Sequence, residues 1–261
     1  MTEDDGRIFI DYYTDALCAW AWIAQPRLEE LQRQWGDRLG IRHRCVDIFG
    51  DSHSKIRRQW GEHDGFERFS EHVAESASAF DECIVNPRVW SHVRPRSSLQ
   101  AHLLLKAVGL VAGDQAVGPM ALKVRRAFFV EARDISDQSQ LLELAAEADL
   151  DSAALQGALL DGSALARLSD DQRSAGDLSV RGSPTGAINQ GRPRPDGHVR
   201  YRIPHANSDE LLKHPRAEAS RCYRTWCTSS PETPPAVPAE TSRQCLPAAA
   251  SAGRRCPLRR V

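Results

Sequence analysis

A strand, a helix and a second strand follow one another at the start of this chain, and that order fixes how folding can begin. The apolar run from Ile8 to Tyr13 makes about Arg7 to Tyr13 read as a strand. Trp22 to Trp35 reads as an amphipathic helix, with Ile23, Leu28, Leu31 and Trp35 near helical spacing and Glu29, Glu30, Arg33 and Gln34 on other faces. Gly36 and Gly40 bracket a short turn, and Ile41 to Ile48 alternates in part like a half-buried strand. The helical connection is long enough for a right-handed crossover, so the two strands are expected to pair in parallel.

Cys18 lies where the first strand gives way to the helix, within Asp15-Ala16-Leu17-Cys18-Ala19-Trp20-Ala21-Trp22. At such a junction, free backbone N–H groups and the positive end of the helix dipole favour a thiolate over a thiol. The thiolate is the nucleophile, so reactive sulfur chemistry is expected here, with Cys18 titrating well below an ordinary thiol. The other reading is a small buried cysteine that fills a gap in the core.

The middle of the chain, from about Phe66 to Leu178, carries helical patterns. Ser97 followed by Leu99 to Val108 marks one helix, Asp114 to Ala132 another, and Asp137-Gln138-Ser139 opens a third. Asp151 to Leu160 is a fourth, with Asp151 as its N-cap. The β signal returns in Pro184 to Asn189. Gln190 to Gly197 reads as a turn, and His198 to Ile203 as a partner strand that must be antiparallel, the connection being too short for a crossover. Asn207 caps a last helix from Ser208 to about His214. From about Ala217 the composition turns to Ala, Pro, Ser, Thr, Arg and Cys, which buries too little apolar surface to offset its ordering entropy and predicts a disordered tail.

The formal net charge is −1, from 34 basic and 35 acidic residues, so no global field points to nucleic acid or an anionic membrane. The acidic start Met1-Thr2-Glu3-Asp4-Asp5-Gly6 does not read as a secretory signal, and no apolar run approaches membrane-spanning length. A soluble cytoplasmic protein is expected. The seven cysteines are an odd number, with no Cys-x-x-Cys pair and no zinc-type spacing. Neither a disulfide framework nor a metal site is therefore expected. His43 and Cys45, alternating on a strand, are assigned to packing and solvent exposure.

Taken in order, these pieces resemble the DsbA family of thioredoxin-like oxidoreductases, in the branch shared with 2-hydroxychromene-2-carboxylate isomerases and kappa-class glutathione transferases. The resemblance rests on Asp15-Ala16-Leu17-Cys18-Ala19-Trp20 and on Val180-Arg181-Gly182-Ser183-Pro184-Thr185. Asp134-Ile135-Ser136-Asp137 and His198-Val199-Arg200-Tyr201-Arg202 support it, over residues 7 to 216. It implies an α/β thioredoxin-like fold with a large helical insertion. The parts would be a thioredoxin-like N-terminal part at 1–65, the helical insertion at 66–178, a thioredoxin-like C-terminal part at 179–216 and the tail at 217–261.

The resemblance further implies that Pro184 is a cis proline facing Cys18, its geometry leaving the backbone of Ser183 free to pair with an extended substrate. One departure is large. The family's oxidoreductases carry a resolving cysteine three residues after the first, where this chain has Ala21. The isomerases and kappa transferases usually have serine where this chain has Cys18.

Three functions follow. The first is a monothiol thiol–disulfide oxidoreductase or disulfide isomerase with Cys18 as catalytic nucleophile and Trp20, Trp22, Ser183 and Pro184 binding substrate. Its partner would be a protein or small-molecule disulfide or thiol, with no bound cofactor and with glutathione or another low-molecular-weight thiol as co-substrate. The second is a glutathione-dependent isomerase or transferase acting on a small aromatic or polyketide-like compound, in which Cys18 orients rather than attacks. The third is a non-catalytic thioredoxin-like scaffold that binds extended segments. His53, His63, His72 and His92 receive no role, since none has an evident partner.

Overall fold

The computed structural model describes residues 8–189 and 199–202. β1 (Ile8–Thr14) and β2 (Leu39–Cys45) pair in parallel, with Ile8 opposite Leu39 and Thr14 opposite Cys45. β3 (Thr185–Asn189) runs antiparallel to β1, and β4 (Val199–Arg202) antiparallel to β3, so the sheet order is β2-β1-β3-β4. This is the mixed α/β thioredoxin-like arrangement, with the hairpin partner strand where the sequence pattern placed it.

The crossover between β1 and β2 is two helices rather than one. α1 (Ala19–Ile23) and α2 (Gln25–Trp35) are separated at Ala24, because Pro26 occupies the first turn of α2, where a missing N–H costs nothing but breaks any helix arriving from before it. β2 also stops earlier than its alternation suggests. After Cys45, Val46 donates to Thr14 O, and the amides of Ile48 and Phe49 turn to the carboxylate of Asp15 instead of extending the ladder.

The helical portion begins with α3 (Ser52–Trp60), which the sequence pattern did not separate out. Ile56 is its one buried apolar side chain, so it has no stripe to read; Asp51 caps it by accepting from Ser54 N at 3.0 Å. α4 (Gly65–Ser78), α5 (Leu99–Val111), α6 (Asp114–Phe129), α7 (Gln138–Ala146), α8 (Ser152–Leu160) and α9 (Ser163–Asp177) follow. Asp151 caps α8 as expected, accepting from Ala153 N and Ala154 N, and Asp137 caps α7. The expected last helix, the turn at 190–197 and the tail lie outside the described residues.

One hydrophobic core joins the helices to the cysteine segment. Leu104 and Val108 of α5 and Val124 and Phe128 of α6 share a buried cluster with Cys18 and Ala21. Trp90, fully buried, packs edge-on against Phe128 at 5.2 Å between ring centroids. On the same face of the sheet as Cys45, Ile10, Tyr12, Ala24 and Leu28 form a smaller cluster, and Tyr13 and Ala187 pack with Ala175 on the opposite face. The edge of β2 is covered rather than left open. Asp171 of α9 accepts from Cys45 N at 2.8 Å, and Lys106 of α5, paired with Asp171, donates to His43 O at 2.9 Å.

Two histidines sit in this interior. Burial pushes the His43 ring down to about 3, helped by the charges of Arg125 and Lys106, and burial also lowers His102. Both are therefore neutral in the folded protein, whereas in the unfolded chain they take up a proton below about pH 6.5. Their contribution to stability is complete above that pH and is lost as pH falls. Urea unfolding at pH 7 and pH 5 should show a loss of stability at the lower pH, and His43→Phe, which keeps the edge-on ring contact with Tyr12, should make that loss smaller.

Candidate active site

Cys18 is the N-cap of α1, with extended backbone at φ −78° and ψ 114°. Its carbonyl accepts from the amides of Ala21 and Trp22, and its own amide donates to Asp15 O at 3.2 Å. Facing it, the Ser183–Pro184 peptide bond is cis, as the resemblance implied. Thr185, the next residue, opens β3 opposite Tyr13 of β1, so the sheet itself brings the proline loop up against the end of β1. The Cys18 thiol donates to the carbonyl of Ser183 at 3.2 Å. In the resting protein the Ser183 carbonyl is thus engaged by the thiol rather than free for an extended substrate.

The protonation balance of this sulfur differs from the one its position in sequence suggests. Burial pushes the Cys18 thiol up, opposed by hydrogen bonding to Ser183 and by the backbone N–H groups of Ala21 and Trp20, while the charge of Asp15 adds to the rise. The helix-start donors are present, as expected of the junction. They are outweighed because the side chain is only 5% exposed and α1 is a helix of five residues. Expectation and structure therefore differ in sign, and desolvation is the reason.

Side chains drawn from distant segments hold the cysteine loop. Asp15 is fully buried, and its Oδ1 accepts from Leu17 N at 2.8 Å. Its Oδ2 accepts from Ile48 N, Phe49 N and Ser98 Oγ at 2.8 to 2.9 Å. The amide of Asp15 donates to Ser183 Oγ at 2.9 Å, tying the loop to the cis-proline segment. Ala16 N donates to His102 Nε2 at 3.1 Å, so that nitrogen carries no proton and the ring is the Nδ1–H tautomer. None of these roles was assigned from sequence. The signals were present: one acidic residue among Thr14, Ala16 and Leu17, and one histidine on the apolar face of α5 with Ala101, Leu104, Leu105 and Val108.

Ser183 and Pro184 lie at the thiol. Trp20, two residues after Cys18, is half-buried and packs against the cluster of Ile23, Ala77 and Cys83. Trp22 is a core residue instead: it is buried, its ring stacks on Phe129 at 5.9 Å, and its indole N–H donates to Ile84 O at 3.1 Å. The ring of Trp22 and its one donor are both turned inward.

The remaining described cysteines are free and buried. Burial pushes Cys45 up to about 12, and Cys83 donates to Ile23 O at 3.7 Å. His53 bonds Arg94 O, His72 lies against Trp60, and His92 bonds Ser91, which are local structural contacts.

A thioredoxin-like sheet presenting a helix-capping cysteine to a cis proline defines the class of fold and site. Residues 9–202 match the model of the DSBA-like thioredoxin domain, and the chain belongs to that family. No curated protein sequence matches it. Among solved structures, it is similar to the cytosolic disulfide reductase DsbM from Pseudomonas aeruginosa, at 20% identity and a TM-score of 0.56 over 83% of this chain and 98% of that one. The same reductase with GSH matches at 21% identity and 0.53, over 71% and 93%. A 2-hydroxychromene-2-carboxylate isomerase matches at 16% identity and 0.51, over 68% and 84%. These likenesses carry the fold. Among the described residues no helix is long and apolar enough to cross a membrane.

The raised thiol has a direct readout. In the folded protein, iodoacetamide labelling of Cys18, followed peptide by peptide in the mass spectrometer, should reach half its maximal rate above the ordinary thiol value of about 8.5. Half-maximal labelling below that value would contradict the burial argument.

Proposed function

We propose that this protein catalyses thiol–disulfide exchange through Cys18 alone, with glutathione as the second thiol. The observation that carries the reading is the Cys18 sulfur held 3.2 Å from the Ser183 carbonyl at a cis proline, with fully buried Ala21 where a resolving cysteine would stand. In the forward step the Cys18 thiolate attacks one sulfur of a disulfide R–S–S–R′. The Cys18–S–S–R bond forms, the S–S bond of the substrate breaks, and R′S⁻ leaves with the electron pair. Glutathione thiolate then attacks the R sulfur of that mixed disulfide, which releases R–S–S–glutathione and returns Cys18 as thiolate. Sulfur oxidation state is conserved, so no electron carrier is required.

The local chemistry suits this cycle. A thiol whose pKa is raised gives a stronger nucleophile once ionised and a slower leaving group, so the Cys18 adduct would persist until an external thiol arrives. Backbone N–H groups of Trp20 and Ala21 stabilise the thiolate at attack and at release. The reductase that resembles this chain was solved with GSH, which supports the choice of second thiol. Trp20 at the rim and the Ser183–Pro184 loop are the substrate contacts in this reading.

A second reading draws on the neutral, hydrogen-bonded thiol and on the likeness to the isomerase: Cys18 would orient glutathione for the isomerisation or transfer of a small aromatic compound without attacking it. One substitution separates the two. With bis(2-hydroxyethyl) disulfide and glutathione, the wild-type protein should accelerate formation of the mixed disulfide, and Cys18→Ser should fall to the uncatalysed rate. Full exchange activity in Cys18→Ser would overturn the nucleophilic role. Glutathione binding that survives the substitution without exchange in either protein would favour the second reading.

A further inference from the structure

The turn that presents the thiol, Asp15 to Cys18, has an acceptor for each of its amides. Asp15 N donates to Ser183 Oγ at 2.9 Å, Ala16 N to His102 Nε2 at 3.1 Å, Leu17 N to Asp15 Oδ1 at 2.8 Å and Cys18 N to Asp15 O at 3.2 Å. The last two bonds are internal to the turn. Among the described residues, side chains of other segments therefore meet these amides at two points, Ser183 at Asp15 and His102 at Ala16. Ser183 also takes the Cys18 thiol on its carbonyl at 3.2 Å, so its two bonds hold the ends of the turn. His102 holds the middle.

The start of one helix makes this grip. Ser98 is the N-cap residue of α5, His102 lies one turn further on, and both are buried. Ser98 Oγ donates to Asp15 Oδ2 at 2.8 Å, while His102 reaches the next residue along the turn. A histidine accepts at Nε2 only while that nitrogen carries no proton. Burial lowers the His102 pKa; Asp15 and Asp47 oppose the fall, Lys106 and Arg125 add to it, and the ring is neutral at pH 7 and above. Loss of this acceptor would strand the Ala16 N–H in the interior, and a buried amide recovers a partner only by moving toward water. Ala16 is two residues from Cys18 in a closed turn, so the thiol would move with it. Away from the Ser183 carbonyl the sulfur becomes hydrated, which favours the thiolate.

We propose that His102 is a positioning residue for Cys18: its unprotonated Nε2 holds the turn at Ala16 and so keeps the sulfur buried on the Ser183 carbonyl. The inference rests on the reading of Cys18 as nucleophile but concerns only where its sulfur is held. A histidine that merely filled the core would matter for stability and not for the thiol of the folded protein.

The test is the pH dependence of Cys18 alkylation in the full-length protein, with folding checked by circular dichroism and hydrogen exchange at the Ala16 amide read alongside. His102→Leu removes the acceptor, and His102→Asn, whose shorter side chain withdraws it, serves if His102→Leu does not fold. His102→Gln keeps an amide oxygen within reach of Ala16 N. In His102→Leu the Ala16 amide should exchange faster. The apparent pKa of Cys18 should fall by about one unit, which speeds alkylation at pH 7 about tenfold. His102→Gln should stay near wild type in both measurements. A wild-type alkylation profile in a folded variant without the acceptor would overturn the proposal, as would a His102→Gln variant that behaves like His102→Leu. If His102 controls alkylation while wild type shows no disulfide exchange, the proposed function fails and this inference stands.

Discussion

The carboxylate of Asp15 is the interaction on which the cysteine site depends. Its two oxygens take hydrogen bonds from its own loop, from the segment that leaves β2 and from Ser98 at the head of α5. Its amide reaches the cis-proline loop through Ser183 Oγ. Four stretches of chain thus meet at one residue with no solvent exposure. A buried carboxylate is tolerated only when its lone pairs are filled, and here each donor also loses its alternative partner in water. An asparagine in its place would turn an N–H₂ group toward backbone N–H donors, stranding groups at a cost on the order of 1–3 kcal/mol each. The same contacts stop β2 at Cys45, so the shape of the sheet and the placement of the thiol have one cause.

Much of the architecture is written locally. The β-α-β opening, the helical middle, the caps at Asp137 and Asp151 and the hairpin after Pro184 follow from periodicity and turn chemistry within short windows. The juxtaposition of Cys18 with Pro184 follows from motif order, because β3 must lie beside β1 to complete such a sheet. α3 escaped because Ile56 alone is its apolar anchor, and the break at Ala24 because Pro26 fits the first turn of one helix as well as the interruption of another. Trp22 could not be told from Trp20 by spacing. Only the position of Phe129 and of the Ile84 carbonyl turns it inward.

The chemistry of the site is less legible for a related reason. A cysteine at a helix start carries its stabilising N–H groups with it in sequence, but the buried cluster it joins is assembled from helices far along the chain, α5 and α6 among them. Those helices also deliver His102 and Arg125, whose partners lie 86 and 111 residues away. Local sequence therefore gives the half of the balance that favours thiolate, and tertiary packing gives the half that opposes it. Ala21 is fully buried and leaves the motif without a second thiol, which is why the proposed exchange takes its resolving thiol from outside the protein.

That dependence is the centre of the account, and intact-protein mass spectrometry with oxidised glutathione tests it most directly. The reduced protein should acquire a glutathione adduct that peptide mapping places on Cys18 and that reduced glutathione removes, while Cys18→Ser acquires none at that position. Adducts confined to other cysteines, with Cys18 left as a free thiol, would contradict it.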